Sequence, residues 1–427
     1  MYKPGFILFL LYLIIFLSSC APVIYPEGEK EVEVPVKQEE NINILNELVI
    51  EKKEKTESLT HDTAGPLKTD ISIILPKGKK KKITNQFINV IEMAVYEKQL
   101  EDISFSVNLF EDFTNLEEII ESSIAPGKIF IGPTDSFETK LLSKYCKNGA
   151  IFFSFSSEKK LAKDCVFLVN FFPENELEVL FKNFKPGSKI ALLYPENSYG
   201  YNINLLIDEI ADQSDSVIIN RASYSEDLTN VREAIKELGK YELRKYELER
   251  QKLILASKKD EQSIKRLKRL QNFKTTSDFD FTHILLPDYG VRLLQVAPLL
   301  PYYDVDPNIV QFVGTGVWDD PIFFKEPSLQ KAIFPGVEIR KRSELIKKYQ
   351  GIYQNKLMRT STLVYDLIGL VSYAYEQKIN INDFYTLLND SNTRFDGVDG
   401  TFYFKNNVIR RELSILKILN GKAITIN

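Results

Sequence analysis

Two short apolar runs are each followed by a turn rich in groups that can bind. His283-Ile284-Leu285-Leu286 leads into Pro287-Asp288-Tyr289-Gly290, and Ile309-Val310-Gln311-Phe312-Val313 leads into Gly314-Thr315-Gly316-Val317-Trp318-Asp319. Carboxylates, hydroxyls and aromatic faces so placed can pair with, hydrogen-bond and stack on a small polar molecule. Bond-breaking chemistry finds little support. The two histidines are His61 and His283, and the second sits inside an apolar run, where a satisfied core histidine is the better reading. No Ser-His pairing or metal-ligand spacing occurs. Gly314-x-Gly316 lacks the third glycine of a dinucleotide fingerprint. No phosphate-binding loop or nucleophile elbow is found. The chain is expected to bind rather than catalyse, with no cofactor and no metal.

The elements that must hold these groups are a strand, a helix and a second strand. Val291, Leu294, Val296, Ala297, Leu299 and Leu300 form a stripe at helical spacing, stopped by Pro301. Strands joined through a helix are parallel neighbours, connected right-handedly. Ligands bind at the carboxyl ends of such strands, which singles out Asp288, Tyr289, Thr315, Trp318 and Asp319. The same rhythm runs from Ile71 onward. Strands are expected at 71–75, 103–110, 128–132, 150–155 and 166–171, and again at 190–194, 217–219 and 332–337, with helices between them. A closing hairpin over 401–419 turns at Asn406-Asn407. This is an α/β chain of two doubly wound, Rossmann-like lobes with a hinge and an interlobe cleft. The first lobe is assigned to 70–172 and 338–395 and the second to 173–337, with 396–427 a closing hairpin shared between them.

At 427 residues, 27% charged and with a net charge of −4, the chain is long enough for two cores and shows no nucleic-acid bias. Phe6 to Leu17 is apolar and follows Lys3, but roughly 12 residues fall short of the ~20 that cross a bilayer. Residues 1–20 read as a signal peptide. Residues 21–69 mix Glu and Lys with prolines, a composition expected to form a disordered tether with a root-mean-square reach on the order of 40 Å. Export to an oxidising compartment suggests a disulfide between Cys146 and Cys165, which lie at the ends of adjacent elements; two buried thiols are the alternative. Lys77-Gly78-Lys79-Lys80-Lys81-Lys82 is a solvated face or a contact for an anionic partner. The charged insertion 240–274 carries Leu243, Tyr246, Leu253, Ile264 and Leu267 on an approximate heptad. It reads as a solvated helix or helical hairpin with one weak seam, or as a partner-binding helix.

Leu17-Ser18-Ser19-Cys20 is similar to the lipobox of bacterial lipoproteins, which makes Cys20 the acylated first residue of the mature chain; Ala21 after it implies the periplasmic face of the outer membrane. The alternation of elements, Ile131-Gly132-Pro133 and the turn Pro195-Glu196-Asn197-Ser198-Tyr199-Gly200 resemble type I periplasmic binding proteins of the leucine/isoleucine/valine class. Phe153-Ser154-Phe155-Ser156, Leu286-Pro287-Asp288, the stretch 299–304, Gly314 to Asp320 and Phe395-Asp396-Gly397-Val398-Asp399-Gly400 resemble the penicillin-binding-protein activator lipoproteins of alphaproteobacteria. The first resemblance implies that Thr134, Ser136, Ser154 and Ser156 hold a ligand carboxylate while Tyr199 packs on the ligand. The acidic partner of a ligand ammonium is then expected near Thr315 and Gly316, and Asp319 is the nearest substitute. The second implies that the chain regulates a peptidoglycan synthase, a penicillin-binding protein, and that these residues hold the lobes shut. The alternative is a receptor delivering an amino-acid-like ligand to an ABC permease.

Overall fold

A computed structural model describes residues 67–78, 81–337 and 340–426. The lipobox through Cys20, the stretch 21–66 and residues 79–80 lie outside the described residues.

The first lobe begins with β1 (Asp70–Pro76), α1 (Lys81–Glu97), β2 (Ser104–Phe110), α2 (Phe113–Ser123), β3 (Ile129–Ile131), α3 (Ser136–Leu142), β4 (Ile151–Ser154) and β5 (Val166–Leu168). The chain then enters a second lobe of α4 (Pro173–Lys182), β6 (Lys189–Pro195), α5 (Ser198–Asp212), β7 (Val217–Tyr224), α6 (Val231–Leu238), α7 (Tyr241–Ala256), α8 (Glu261–Leu270), β8 (His283–Leu285), α9 (Gly290–Val296), α10 (Leu299–Tyr302), β9 (Gln311–Val313) and β10 (Ile333–Gly336). It returns through α11 (Arg340–Tyr353), α12 (Ser361–Glu376), α13 (Ile381–Asn389), β11 (Phe395–Gly397), β12 (Gly400–Lys405) and β13 (Val408–Arg411), and ends in the second lobe with β14 (Ser414–Leu419) and β15 (Lys422–Ile426).

Two sheets result, ordered β11-β12-β13-β5-β4-β3-β1-β2 and β15-β14-β10-β9-β8-β6-β7. The strands β1 to β5 pair in parallel, as do β6 to β10. Alternation along β6 shows why this sheet needs helices on both faces. Ile190 and Leu192 pack with Leu177, Ile203 and Ile207 on one side, while Ala191 and Leu193 pack with Val231, Ile235 and Leu293 on the other.

The closing segment is two hairpins rather than one. β12 and β13 pair in the first sheet across Asn406 and Asn407, whose φ values of 53° and 57° suit a tight hairpin turn, and β14 and β15 pair in the second sheet. The stripe after β8 also divides. A helix ends at Val296 before Pro298, and Pro301 lies inside the next short helix instead of terminating a long one. The insertion is a hairpin of α7 and α8, but its expected seam points outward. Leu243, Tyr246, Leu253 and Ile264 are exposed, while Arg244, Leu248 and Leu255 are buried. Arg244 is anchored by bonds to the carbonyls of Gly239, Tyr303 and Thr276.

A disulfide joins Cys146 to Cys165, with Cα atoms 5.2 Å apart. His283 packs its ring on Phe184 at 4.3 Å and bonds Thr282 through Nδ1, and burial pulls its pKa down to about 4. Lys77 forms an exposed ion pair with Glu111.

Candidate functional site

The hydroxyls of the first lobe sit in the loops after β3 and β4. Ser136 and Ser156 share a hydrogen bond of 2.8 Å, and Ser154 bonds Thr139 at 2.6 Å and receives the Ser156 N–H. Ser154 and Ser156 are buried, so much of their capacity is spent within the lobe. The Thr134 hydroxyl is buried without a partner.

Tyr199 in the second lobe is positioned by its turn. The Asn197 side chain caps α5 by accepting the Gly200 N–H, and a Cβ at Gly200 would come 2.1 Å from the Pro195 carbonyl. The Tyr199 hydroxyl bonds Thr315 at 2.7 Å, and burial pushes its pKa well above the ordinary value, leaving a neutral phenol. Tyr289 meets the Tyr199 ring edge-on at 5.9 Å and remains 47% exposed. Trp318 is wholly buried beneath Gly314, where a Cβ would strike the indole at 2.0 Å, so it supports the loop and has no free face. Among the described residues, no hydrogen bond or ion pair joins Thr134, Ser136, Ser154 or Ser156 to Tyr199, Thr315 or Asp319. The two halves are each assembled but are not linked directly.

Asp319 is not available to a ligand. Its side chain is 1% exposed, 2.7 Å from Arg342 and 4.0 Å from Arg359. The Arg342 contact lies off the hydrogen-bond line, so Asp319 is held by charge. The acid expected at Gly316 comes instead from α4. Gly316 donates its N–H to Glu176 Oε2 at 2.9 Å, and a Cβ on Gly316 would lie 2.1 Å from that carboxylate. The Gly316 carbonyl accepts a bond from Arg359, which stands just before α12 of the first lobe.

Around this contact lies a network of arginines and carboxylates drawn from every crossing between the lobes. Arg342 pairs with Asp399 at 2.6 Å, and Arg359 approaches the other Asp399 oxygen at 3.3 Å. Arg411 donates to the Asp399 carbonyl at 2.7 Å and pairs with Asp366 at 3.0 Å. Phe171, on the first crossing, lies under the Arg359 guanidinium at 4.4 Å. The remaining space here, bordered by Phe171, Glu176, Arg359 and Arg411, is about 10 Å³, room for about one water.

The charges shape one another. Burial pushes Asp399 upward, but Arg359, Arg342 and Arg411 outweigh it and hold the carboxyl well below its usual range. Burial raises Asp366 to about 6 against the pull of Arg411 and the Val398 N–H. Glu176 is also raised by burial, against Arg359 and the Gly316 N–H. Burial alone would lower Arg359, yet Asp399, Asp319 and Glu176 lift it above its ordinary value. Sequence reasoning missed Glu176, Arg342, Arg359, Asp366 and Arg411. Asp399 lies within the stretch Phe395 to Gly400, where its local pattern assigns it no role. Among the described residues there is no cluster suited to a metal ion, and no helix is long and apolar enough to cross a membrane.

No family model matches the chain, and no curated protein matches it in sequence. Solved structures do match, and they define the fold as that of type I periplasmic binding proteins. A protein from Rhodospirillum rubrum described as a branched-chain amino acid ABC transporter aligns with a TM-score of 0.61 at 12% identity, over 85% of this chain and all of its own. A substrate-binding protein from Desulfitobacterium hafniense in complex with Leu aligns at 0.53 and 13%, over 84% of this chain and 99% of its own. The LpoA C-domain from Haemophilus influenzae, described as a regulator of PBP1A, aligns at 0.53 and 13%, over 84% of this chain and all of its own. These neighbours are binding or regulatory proteins.

Proposed function

We propose that the chain is a periplasmic lipoprotein, anchored through Cys20 to the outer membrane, that regulates a peptidoglycan synthase of the penicillin-binding-protein type. One observation carries this reading. Arg359 of the first lobe occupies the loop after β9, and Glu176 supplies the carboxylate there, so the chain's own guanidinium stands where an amino-acid ligand would bring its ammonium. Such a cleft is closed from within. A closed two-lobed body with a fixed outer surface suits a protein partner better than a transported solute. The receptor reading keeps one specific support, the Tyr199–Thr315 pair beside retained loop hydroxyls.

Titrating the purified chain into a glycan-polymerisation and cross-linking assay of a penicillin-binding protein from the same organism tests the proposal. A saturable rise in either rate, together with unchanged melting temperature in the presence of millimolar free amino acids, is the expected result. A ligand that binds only the folded state stabilises it by about 2.7 kcal/mol at 100 times its Kd. Stabilisation by an amino acid, with no effect on the synthase, would establish the receptor instead.

A further inference from the structure

The hairpin of α7 and α8 combines two independent features. First, it exposes large apolar side chains: Leu253 at 74%, Tyr246 at 64%, Phe273 at 59%, Leu243 at 57% and Ile264 at 55%. Leu243, Tyr246 and Leu253 fall at i, i+3 and i+10, which puts them on one ridge of α7, and the buried Arg244, Leu248 and Leu255 occupy the opposite side. One side of α7 is thus buried, with Arg244 bonding the carbonyls of Thr276 and Tyr303, and the other is bare. Second, residues 240–274 hold twelve Lys and Arg against five Asp and Glu, a net of +7 in a chain whose net charge is −4. The acids are largely spent within the hairpin. Glu247 pairs with Arg250, Glu249 with Lys252 and Glu261 with Lys265, while Asp260 caps α8 through Ser263. Many of the cations are not. Lys258, Lys259, Arg266, Lys268 and Arg269 are exposed and have no hydrogen-bond or ion-pair partner among the described residues.

We infer that this hairpin docks on an anionic lipid surface. Apolar side chains flanked by uncompensated lysine and arginine are what an interfacial helix needs, because the chains enter the acyl boundary while the cations meet the headgroups. A flat, deformable sheet of negative charge can engage the ridge and the scattered cations together. The exposed cations are scattered over α8 and the turn before it, and the cavity beside α7, about 190 Å³, is bordered by Leu243, Arg244 and Glu247 of the helix and by Phe279 and Asp280. The surface would set the orientation of the folded body on the membrane, independently of which synthase or solute the cleft serves.

Hydrogen-exchange mass spectrometry on the full chain reads this site separately from any acyl anchor. Vesicles of phosphatidylglycerol and phosphatidylethanolamine should slow exchange across 241–273, phosphatidylcholine vesicles should not, and high salt should remove the effect. Each cation near such a surface contributes roughly fivefold to partition, so Lys258→Ala, Lys259→Ala, Arg266→Ala and Arg269→Ala combined should weaken it several-hundredfold. The four sites are exposed, so the melting temperature should hold. Leu243→Ser, Tyr246→Ser and Leu253→Ser combined should abolish slow release at unchanged charge. Equal protection by neutral and anionic vesicles, or unaltered partition in the charge variant, overturns the inference. Protection of 241–273 by an added synthase but not by vesicles overturns it in favour of an acidic protein partner.

Discussion

Replacing Arg359 by methionine removes the guanidinium that links the lobes but keeps an unbranched stem to lie over Phe171. The loss has three parts. The bond to the Gly316 carbonyl is charge-assisted and is worth about 1.5–3 kcal/mol. The contact with Asp399 at 3.3 Å is longer, and Asp399 keeps Arg342 at 2.6 Å, so that carboxylate is not orphaned. Glu176 loses its attracting charge, but burial already favours its protonated form, which limits the penalty. The side chain retains 22% exposure, so solvent screens part of the remainder. Together these give about 3 kcal/mol. Arg342→Met should cost more, about 4–5 kcal/mol, because Arg342 is only 4% exposed and its removal leaves Asp319 with a distant partner at 4.0 Å. Urea unfolding measures both, and small-angle scattering reads whether the lobes part. The expected result is a larger loss for Arg342 than for Arg359, with a greater radius of gyration in each variant. A change under about 1 kcal/mol for both, with unaltered scattering, would refute the view that these charges close the cleft.

Three further outcomes follow from the same geometry. Asp366 and Glu176 have raised folded pKa values, so the folded state takes up protons before the unfolded chain does and stability rises as pH falls from about 7 toward 5; for Asp366, about 6 against 3.8 sets an upper limit of about 3 kcal/mol. The depressed Asp399 acts oppositely, its stabilisation being lost only as pH falls below about 4, so urea midpoints should rise from pH 7 to a maximum near pH 4, and a monotonic fall from pH 7 would contradict the assignment. Cys165→Ser opens a loop of sequence separation 19 and should cost about 3 kcal/mol, whereas equal melting of the wild type with and without reductant would exclude the bond. Gly316→Ala drives a methyl into Glu176 and should cost about 1–3 kcal/mol, while Gly351→Ala, inside α11 with open space around it, should stabilise by up to about 1 kcal/mol; similar melting temperatures for the two would count against the close packing at Gly316.

The fold was readable because its strands are apolar runs such as Ile71 to Leu75 and Ile190 to Tyr194, and their length and alternation with amphipathic helices leave few topologies. Asn406-Asn407 announced its turn because both residues tolerate positive φ. The site was less legible for a physical reason. Local pattern reports which face of an element is apolar, whereas the groups of this network meet across long separations: Glu176 is 140 residues from Gly316, and Arg342 is 57 from Asp399. Each is an ordinary charged residue in its own segment. Asp319 shows the consequence, since its place after β9 was foreseen but not the arginines that consume it. The insertion misled in the opposite direction, because a heptad reads as a seam between helices even where the structure turns it toward solvent.

The most direct test of the proposed closed cleft is a native mass spectrum of the chain purified from its own cells without denaturation. A cleft filled by Arg359 and Glu176 predicts the mass of the covalent chain alone, with no small molecule bound, unchanged after unfolding and refolding. A bound small molecule that is released on unfolding, and that binds again when the protein is refolded with it, would contradict this reading.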